Sequence, residues 1–318
     1  MTSKERFIRA LTRQPVTGHV PHFELVFYLT MESIGKVHPS HRSYPQWNQM
    51  SRSEQKLQME DMAACYIEIA EKYSHDAIFI HPNPGDYENT IWLLEILREK
   101  TGDKYFTMMH GDPTYSIPDG DHMEEFSRQL YEDGEVIKYH TERNIAYYTE
   151  LAERFRTKNP GLLDGFTLCA DYCFNTNPFF SPAMFAEYIT PYLQRILKTY
   201  RDMDYYTIKH TDGNIMPIVD QIAECRPDAL HSLDPQGGVD LAEMKRLYGN
   251  RLTLIGNVNC GLLQTGTREE CAADIRRALR DGMPCGGYIF STSNCAYTGL
   301  PLERYELMHK IWLEEGIY

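Results

Sequence analysis

Residues 181–214 read SPAMFAEYITPYLQRILKTYRDMDYYTIKHTDGN, and this stretch holds one complete structural unit. From Pro182 to Met203 the apolar residues recur at i, i+3, i+4 and i+7, the spacing of one helix face. Ser181-Pro182 is a helix-start pair: a side-chain acceptor, then a residue with no N–H to leave unpaired. Tyr205–His210 is short and rich in aromatic and β-branched residues, the composition of a strand. It runs out in His210-Thr211-Asp212-Gly213-Asn214, a polar turn. The order is helix, strand, polar loop.

The same order recurs in both directions along the chain. Strand-like runs fall at His19–Tyr28, Ala77–His81, Tyr105–His110, Phe166–Asp171, Ala229–Leu233, Leu252–Asn257 and Tyr288–Thr292. Helical patterns lie at Ser53–Tyr73, Met123–Thr157, Ile215–Glu224, Asp240–Leu247, Arg268–Asp281 and Pro301–Glu314. Thr267 stands three residues before Glu270, a capping-box spacing. Eight strands, each followed by a helix, predict a parallel α/β sheet closed as a (β/α)₈ TIM barrel, with an open doubly wound sheet as the alternative. No Pro, Gly and Ser linker divides the chain, so residues 1–318 are expected to form one barrel domain with an N-terminal helical extension.

Composition narrows the function classes. Of 318 residues, 42% are hydrophobic and 24% charged, which excludes a disordered or low-complexity chain. Thirty-two Lys and Arg against 45 Asp and Glu give a net charge of −13. A phosphate backbone repels such a chain unless a basic patch compensates, and no run of the sequence supplies one, so nucleic acid is not an expected partner. Nothing approaches the ~20 apolar residues that span a bilayer, and Met1–Arg13 lacks the apolar core of a signal peptide. Eight scattered cysteines without a C-x-x-C pair then read as reduced thiols of a cytoplasmic protein. The glycine-rich nucleotide patterns, H-E-x-x-H and G-x-S-x-G are absent.

In a barrel the active site forms where strands end and their following loops begin. Those positions here carry Glu24 with His22, Phe27 and Tyr28 on the first strand; His81 on the second; His110 and Asp112 on the third. Asp171 and Tyr172 follow the fourth; His210 and Asp212 the fifth; Asp234 the sixth; Asn257 and Asn259 the seventh; Ser293, Asn294 and Cys295 the eighth. Almost none is cationic, and histidine, acid and cysteine together form a metal-ligand set. Residues i and i+2 of an extended segment point the same way, so His210 and Asp212 can grip one ion. Cys295 arrives from the last strand and Glu24 from the neighbouring first strand, which makes zinc the expected metal. Each has a plainer reading too. Cys295 serves equally as a small buried side chain, His22 as an inward residue bonded to a carbonyl, and His81 and His110 as structural histidines.

The run His210-Thr-Asp-Gly-Asn, the segment Leu254–Glu270 (LIGNVNCGLLQTGTREE) and the closing Ser293–Glu303 (SNCAYTGLPLE) resemble the uroporphyrinogen decarboxylase superfamily. The resemblance covers roughly residues 205–310 and implies a (β/α)₈ barrel. The superfamily contains true decarboxylases and corrinoid-dependent methyltransferases. The decarboxylases carry an arginine-bearing segment after the first strand, whereas Gln14–His41 here has no arginine. A polycarboxylated substrate would also meet a rim of Glu24, Asp171, Asp212 and Asp234, like charge against like. The methyltransferase branch binds zinc through His-x-Cys and a late cysteine, matched here by His210 and Cys295 but with Asp212 in the middle position.

That oxygen ligand makes the sequence most similar to the O-demethylase methyltransferases, which pass a methyl group from a phenyl methyl ether to a partner corrinoid protein. The resemblance therefore implies His210, Asp212 and Glu24 as catalytic residues, and His210, Cys295, Glu24 and Asp212 as metal ligands. Phe27, Tyr28, His81, Asp171, Tyr172 and Asn257 become the substrate-binding set. Cobalamin would be carried by the partner, since no D-x-H-x-x-G segment occurs in this chain, and a homodimer is compatible with the pattern. The alternatives are a uroporphyrinogen decarboxylase-like enzyme, another corrinoid-linked methyltransferase with a non-aromatic donor, a zinc hydrolase, or a non-catalytic tetrapyrrole-binding module.

Overall fold

The computed structural model describes residues 1–318. Seven strands form one parallel sheet in sequential order: β1 (Ala77–Ile80), β2 (Phe106–His110), β3 (Gly165–Leu168), β4 (Tyr206–Thr211), β5 (Ala229–Ser232), β6 (Thr253–Ile255) and β7 (Tyr288–Ile289). Strands β1, β3, β5, β6 and β7 are buried along their whole length, as expected for a parallel sheet covered by its crossover helices. Sequential parallel pairing curls the sheet, giving a TIM-barrel-like α/β fold.

The segment expected as a first strand, 19–28, forms no regular ladder but occupies the gap between the two sheet edges. His22 bridges Phe290 and Phe27 bridges Ala296, both parallel, while the Asp76 N–H donates to the His22 carbonyl at 2.7 Å. A full ladder is blocked locally for two reasons. Pro21 has no N–H to give, and the His22 N–H is taken by the Asp76 carboxylate at 3.1 Å.

Two expected helices are each split in two. Met123–Thr157 becomes Met123–Glu132 and Gly134–Lys158, broken at Asp133, with Gly134 leaving room for the Tyr188 hydroxyl. Pro182–Met203 becomes Pro182–Tyr188 and Thr190–Asp202, because Pro191 lacks an N–H and its ring crowds the preceding turn. The Ile215–Glu224 pattern shortens to Val219–Glu224. An additional helix, Tyr87–Thr101, connects β1 to β2.

Helix Ser3–Leu11 opens with a capping box from Thr2 and Glu5 and closes the bottom of the sheet. Its Phe7, Ala10 and Leu11 pack with Phe23, Phe106, Ile208 and Ile255, and the Thr253 hydroxyl donates to the Ala10 carbonyl at 2.7 Å. Burying Phe7 alone is worth about 2–3 kcal/mol. With the lower end plugged, the polar residues that follow the strands gather at the other end. No helix is long and apolar enough to cross a membrane.

Candidate metal centre

At the C-terminal end of β4, His210 is buried on a strand whose register sets it opposite His231 of β5. The two Nδ1 atoms lie 2.8 Å apart, and His231 Nε2 lies 3.3 Å from the Thr292 carbonyl. A carbonyl only accepts, so His231 donates from Nε2. Complete burial keeps His231 neutral by pushing its pKa well below the usual range. Its Nδ1 therefore accepts, and His210 donates from Nδ1. With Nδ1 turned to His231, the His210 ring is held in place and presents Nε2 to the mouth, as the outer hydrogen bond of a metal-ligating histidine does.

Two carboxylates face that nitrogen. Asp171 Oδ1 is 3.5 Å and Asp212 Oδ1 3.8 Å from His210 Nε2, and ligand atoms of all three residues lie within 4.8 Å of one another. Asp212 reaches this position because the chain turns away at Gly213 (φ +75°), where a Cβ would run into the carbonyls of Cys173 and Phe174. Its Oδ2 accepts from the Asn294 amide, while Oδ1 is buried without a partner. Burial raises the Asp212 pKa to about 6, and the neighbouring Asp171 charge adds to the rise. A buried, unpaired carboxylate oxygen beside an imidazole nitrogen and a second acid fits a divalent cation.

Asp171 is steadied from both sides. Its N–H donates to Ser116 Oγ at 2.6 Å, its carbonyl accepts from the Ile117 N–H at 2.7 Å, and its Oδ1 accepts from the Asp212 N–H at 3.2 Å. Beneath it Lys209, wholly buried, donates to Asp112 Oδ2 at 2.9 Å and to the Ala170 carbonyl at 2.8 Å. Its ammonium lies 4.1 Å over the Tyr172 ring. Burial works to raise Asp112, but the Lys209 charge and hydrogen bonds from Thr114 and Ala170 hold it below the usual carboxylate range. The Lys209 cation beneath the centre is thus spent on Asp112.

The structure brings together three of the expected site residues: His210, Asp212 and Asp171, the last in a ligand position rather than among the substrate contacts. Cys295 and Glu24 lie outside this group. Glu24 is enclosed and accepts from Ser291 Oγ, Thr292 Oγ1 and the Thr292 N–H. Burial, with Asp212 nearby, pushes the Cys295 thiol far above its ordinary value, so it carries its proton.

Among the substrate set, Phe27 packs in the core against Tyr73 and Tyr305, with ring centroids at 5.1 and 4.9 Å. Tyr172 is fully buried and shares a 2.6 Å hydrogen bond with Thr114 Oγ1. Asn257 braces the Leu233 carbonyl and accepts from Arg277 at 2.9 Å. All three are enclosed by protein. Tyr28 is half-buried and stacks on His41 at 4.5 Å, and Phe174 is exposed. His81 has a buried Nδ1 with no partner, and burial with His110 nearby lowers its pKa to about 4. Of the plainer readings, that of His22 holds, since its Nδ1 lies 3.1 Å from the Tyr73 carbonyl. Lys209 and His231 escaped the sequence reading. Their only signal was a charged or titratable side chain inside a short apolar strand.

Residues 168–312 match the uroporphyrinogen decarboxylase (URO-D) family. The match contains Asp171, His210 and Asp212 and begins at the last residue of β3, leaving β1, β2 and the rest of β3 outside it. No curated protein sequence matches this one. Among solved structures, a methyltransferase from Methanosarcina mazei superposes with a TM-score of 0.71 at 19% identity, covering 99% of each chain. A GH5_18 protein from Bifidobacterium longum subsp. infantis follows at a TM-score of 0.50 and 11% identity, covering 94% of this chain and 78% of that one. At such identities the likeness is one of fold.

Proposed function

We propose that this protein is a metal-assisted methyltransferase that moves a methyl group from an aryl methyl ether to the cobalt of a partner corrinoid protein. The observation that carries the reading is the trio Asp171, His210 and Asp212 at the barrel mouth, with an imidazole nitrogen and an unpaired carboxylate oxygen facing one point. The URO-D match over residues 168–312 and the fold shared with a protein named a methyltransferase support it.

Asp171, His210 and Asp212 would hold zinc through one nitrogen and oxygens, a harder donor set than paired thiolates. When bound, the metal supplies positive charge against which an ether oxygen can depart. The protein's own groups do the rest. The His231 relay fixes the His210 ring, and the Ser116 and Ile117 contacts fix Asp171. Asp212, ionised once it ligates, would lend its Oδ1 to the metal, and the departing phenolate, whose conjugate acid has a pKa of about 10, takes its proton from water. Tyr28 and Phe174 offer aromatic surface for an arene ring.

The same electrostatics disfavour a tetrapyrrole decarboxylase. The trio is acidic, Lys209 is already paired, and a substrate of many carboxylates would find no free cation there. The test is to load the purified protein with zinc and supply a guaiacol-type ether, with and without a reduced corrinoid protein. Phenol should form together with methylated cobalt, and only when the corrinoid protein is present. Phenol released without it would establish a hydrolase. Decarboxylation of uroporphyrinogen, with the ether untouched, would establish the other branch.

A further inference from the structure

The end of the barrel opposite the metal centre carries the reverse charge. Four arginines distant in sequence line one cleft of about 480 Å³: Arg13 just after the first helix, Arg201 in the last turn of the helix Thr190–Asp202, and Arg226 and Arg251 in the turns that lead into β5 and β6. All four are exposed, and none has a carboxylate within 4.0 Å, although acids outnumber bases in the chain. Their few hydrogen bonds go to backbone carbonyls, as from Arg201 to Arg226 O at 3.0 Å. Two acids share the cleft. Asp228 spends Oδ2 on the Thr207 N–H and hydroxyl, at 2.7 and 3.0 Å, and Glu224 is exposed at the edge. The cleft therefore stays net positive.

Arg13 (φ +54°) and Arg226 (φ +60°) both sit in the left-handed region that non-glycine residues seldom adopt. The same conformation recurs just past other helices at Ser74, Asp204 and Cys285, so here it belongs to the helix-end turns. Ala223, Pro227 and Leu252 supply the cleft's uncharged wall, and every other lining residue is an arginine or an acid. Guanidinium forks match phosphate oxygens in pairs, and several of them facing one small volume suit several negative charges close together.

We infer that this cleft binds a compact oligophosphate, a di- or triphosphate group, either free or as the tail of a nucleotide. The inference is independent of the methyl-transfer reading, because it uses residues at the other end of the strands.

Calorimetric titration of the full chain with inorganic pyrophosphate and, separately, with ATP tests it. Pyrophosphate should bind with a Kd below about 1 mM that weakens steeply as salt is raised from 50 to 200 mM. The double variant Arg13→Ala/Arg226→Ala should bind at least about tenfold more weakly, the loss of one good bidentate contact. Lys56→Ala, which removes an exposed lysine from the helix Arg52–Lys72, should bind as the unaltered protein does. Equal affinities for both probes would assign the site to the phosphates alone, and tighter ATP binding would assign it to a nucleotide. The added phosphate should also raise the thermal midpoint of the unaltered protein and not that of the double variant. No binding at 5 mM of either probe, or equal binding by the double variant, would overturn the proposal.

Discussion

The two ends of this barrel solve the problem of polar side chains in opposite ways. At the mouth, His210, His231 and Asp112 are buried, Asp171 and Asp212 are half-buried, and most are tied to a defined partner: His210 to His231, Asp171 to the Asp212 N–H, Asp112 to Lys209. At the base, the arginines of the cleft are exposed and unpaired with acids. The difference follows from solvation. A buried polar atom without a partner costs about 1–3 kcal/mol, whereas an exposed guanidinium keeps its water and costs little. Unsatisfied atoms are therefore informative at the mouth and nearly silent at the base. Of six buried side-chain atoms without a hydrogen bond, three stand at or just past strand ends of the mouth: Asp212 Oδ1, Ser232 Oγ and His81 Nδ1. Folding tolerates such atoms where a ligand completes them.

The largest effect expected from that contrast is at His210. His210→Ala should abolish stoichiometric zinc and lower methyl transfer at least about 1,000-fold, read by metal analysis and the cobalt optical change. His231→Phe, which removes only the relay, should cost about 10–100-fold in zinc affinity. If His231→Phe binds zinc normally, the two-histidine relay does not organise the site and the mouth is no more prearranged than the base.

A smaller effect separates the ends by pH. Asp212 has its pKa raised by burial to about 6, against an ordinary value of 3.8. Between those values the folded state holds more proton than the unfolded, so the metal-free protein loses stability as pH rises through 6. Asp212→Asn should then stabilise the metal-free protein at pH 7 by on the order of 2 kcal/mol, with the gain vanishing below about pH 4. In the unaltered protein zinc affinity should climb through pH 6, since the ligand must be deprotonated. Chemical denaturation at several pH values reads the first and zinc titration the second. A stability difference that does not change with pH would remove Asp212 as the titrating group.

The smallest effect belongs to the base. Arg13→Gly relieves a left-handed backbone and should raise stability by about 0.5 kcal/mol while leaving zinc binding at the mouth unchanged. A loss of stability would mean that the Arg13 side chain supports the fold through packing that outweighs its strain.

How much of this was legible before folding can be traced through particular residues. Strands β1 to β7 each overlap a run marked by apolar and β-branched residues, with β3 starting one residue early at Gly165 and β4 ending one residue late at Thr211, because a parallel strand covered on both faces is largely apolar. The pairing of His210 with Asp212 was legible too, since alternate residues of an extended chain share a side. The regular first strand was not to be had: Pro21 and the Asp76 carboxylate turn a ladder into bridges, and Asp76 lies more than fifty residues away. Asp171 read as one more acid on the rim, and its place beside His210 depends on contacts from Ser116 and Ile117 on another loop.

By itself, the sequence determined the alternation of elements, the acidic balance and the end of each strand at which ligand-type residues occur. These are local properties, set by periodicities of 2 and 3.6 residues and by composition along one stretch of chain. Only the tertiary structure decided which of those residues meet. It left Cys295 and Glu24 outside the trio, set His231 behind His210 through the β4–β5 register, and buried Lys209 against Asp112. It also drew Arg13, Arg201, Arg226 and Arg251 into one cleft in a chain whose sequence shows no basic run. The physical reason is the same in each case: the energy of a charge or a lone pair depends on what stands within a few ångströms of it, and that neighbour comes from another strand.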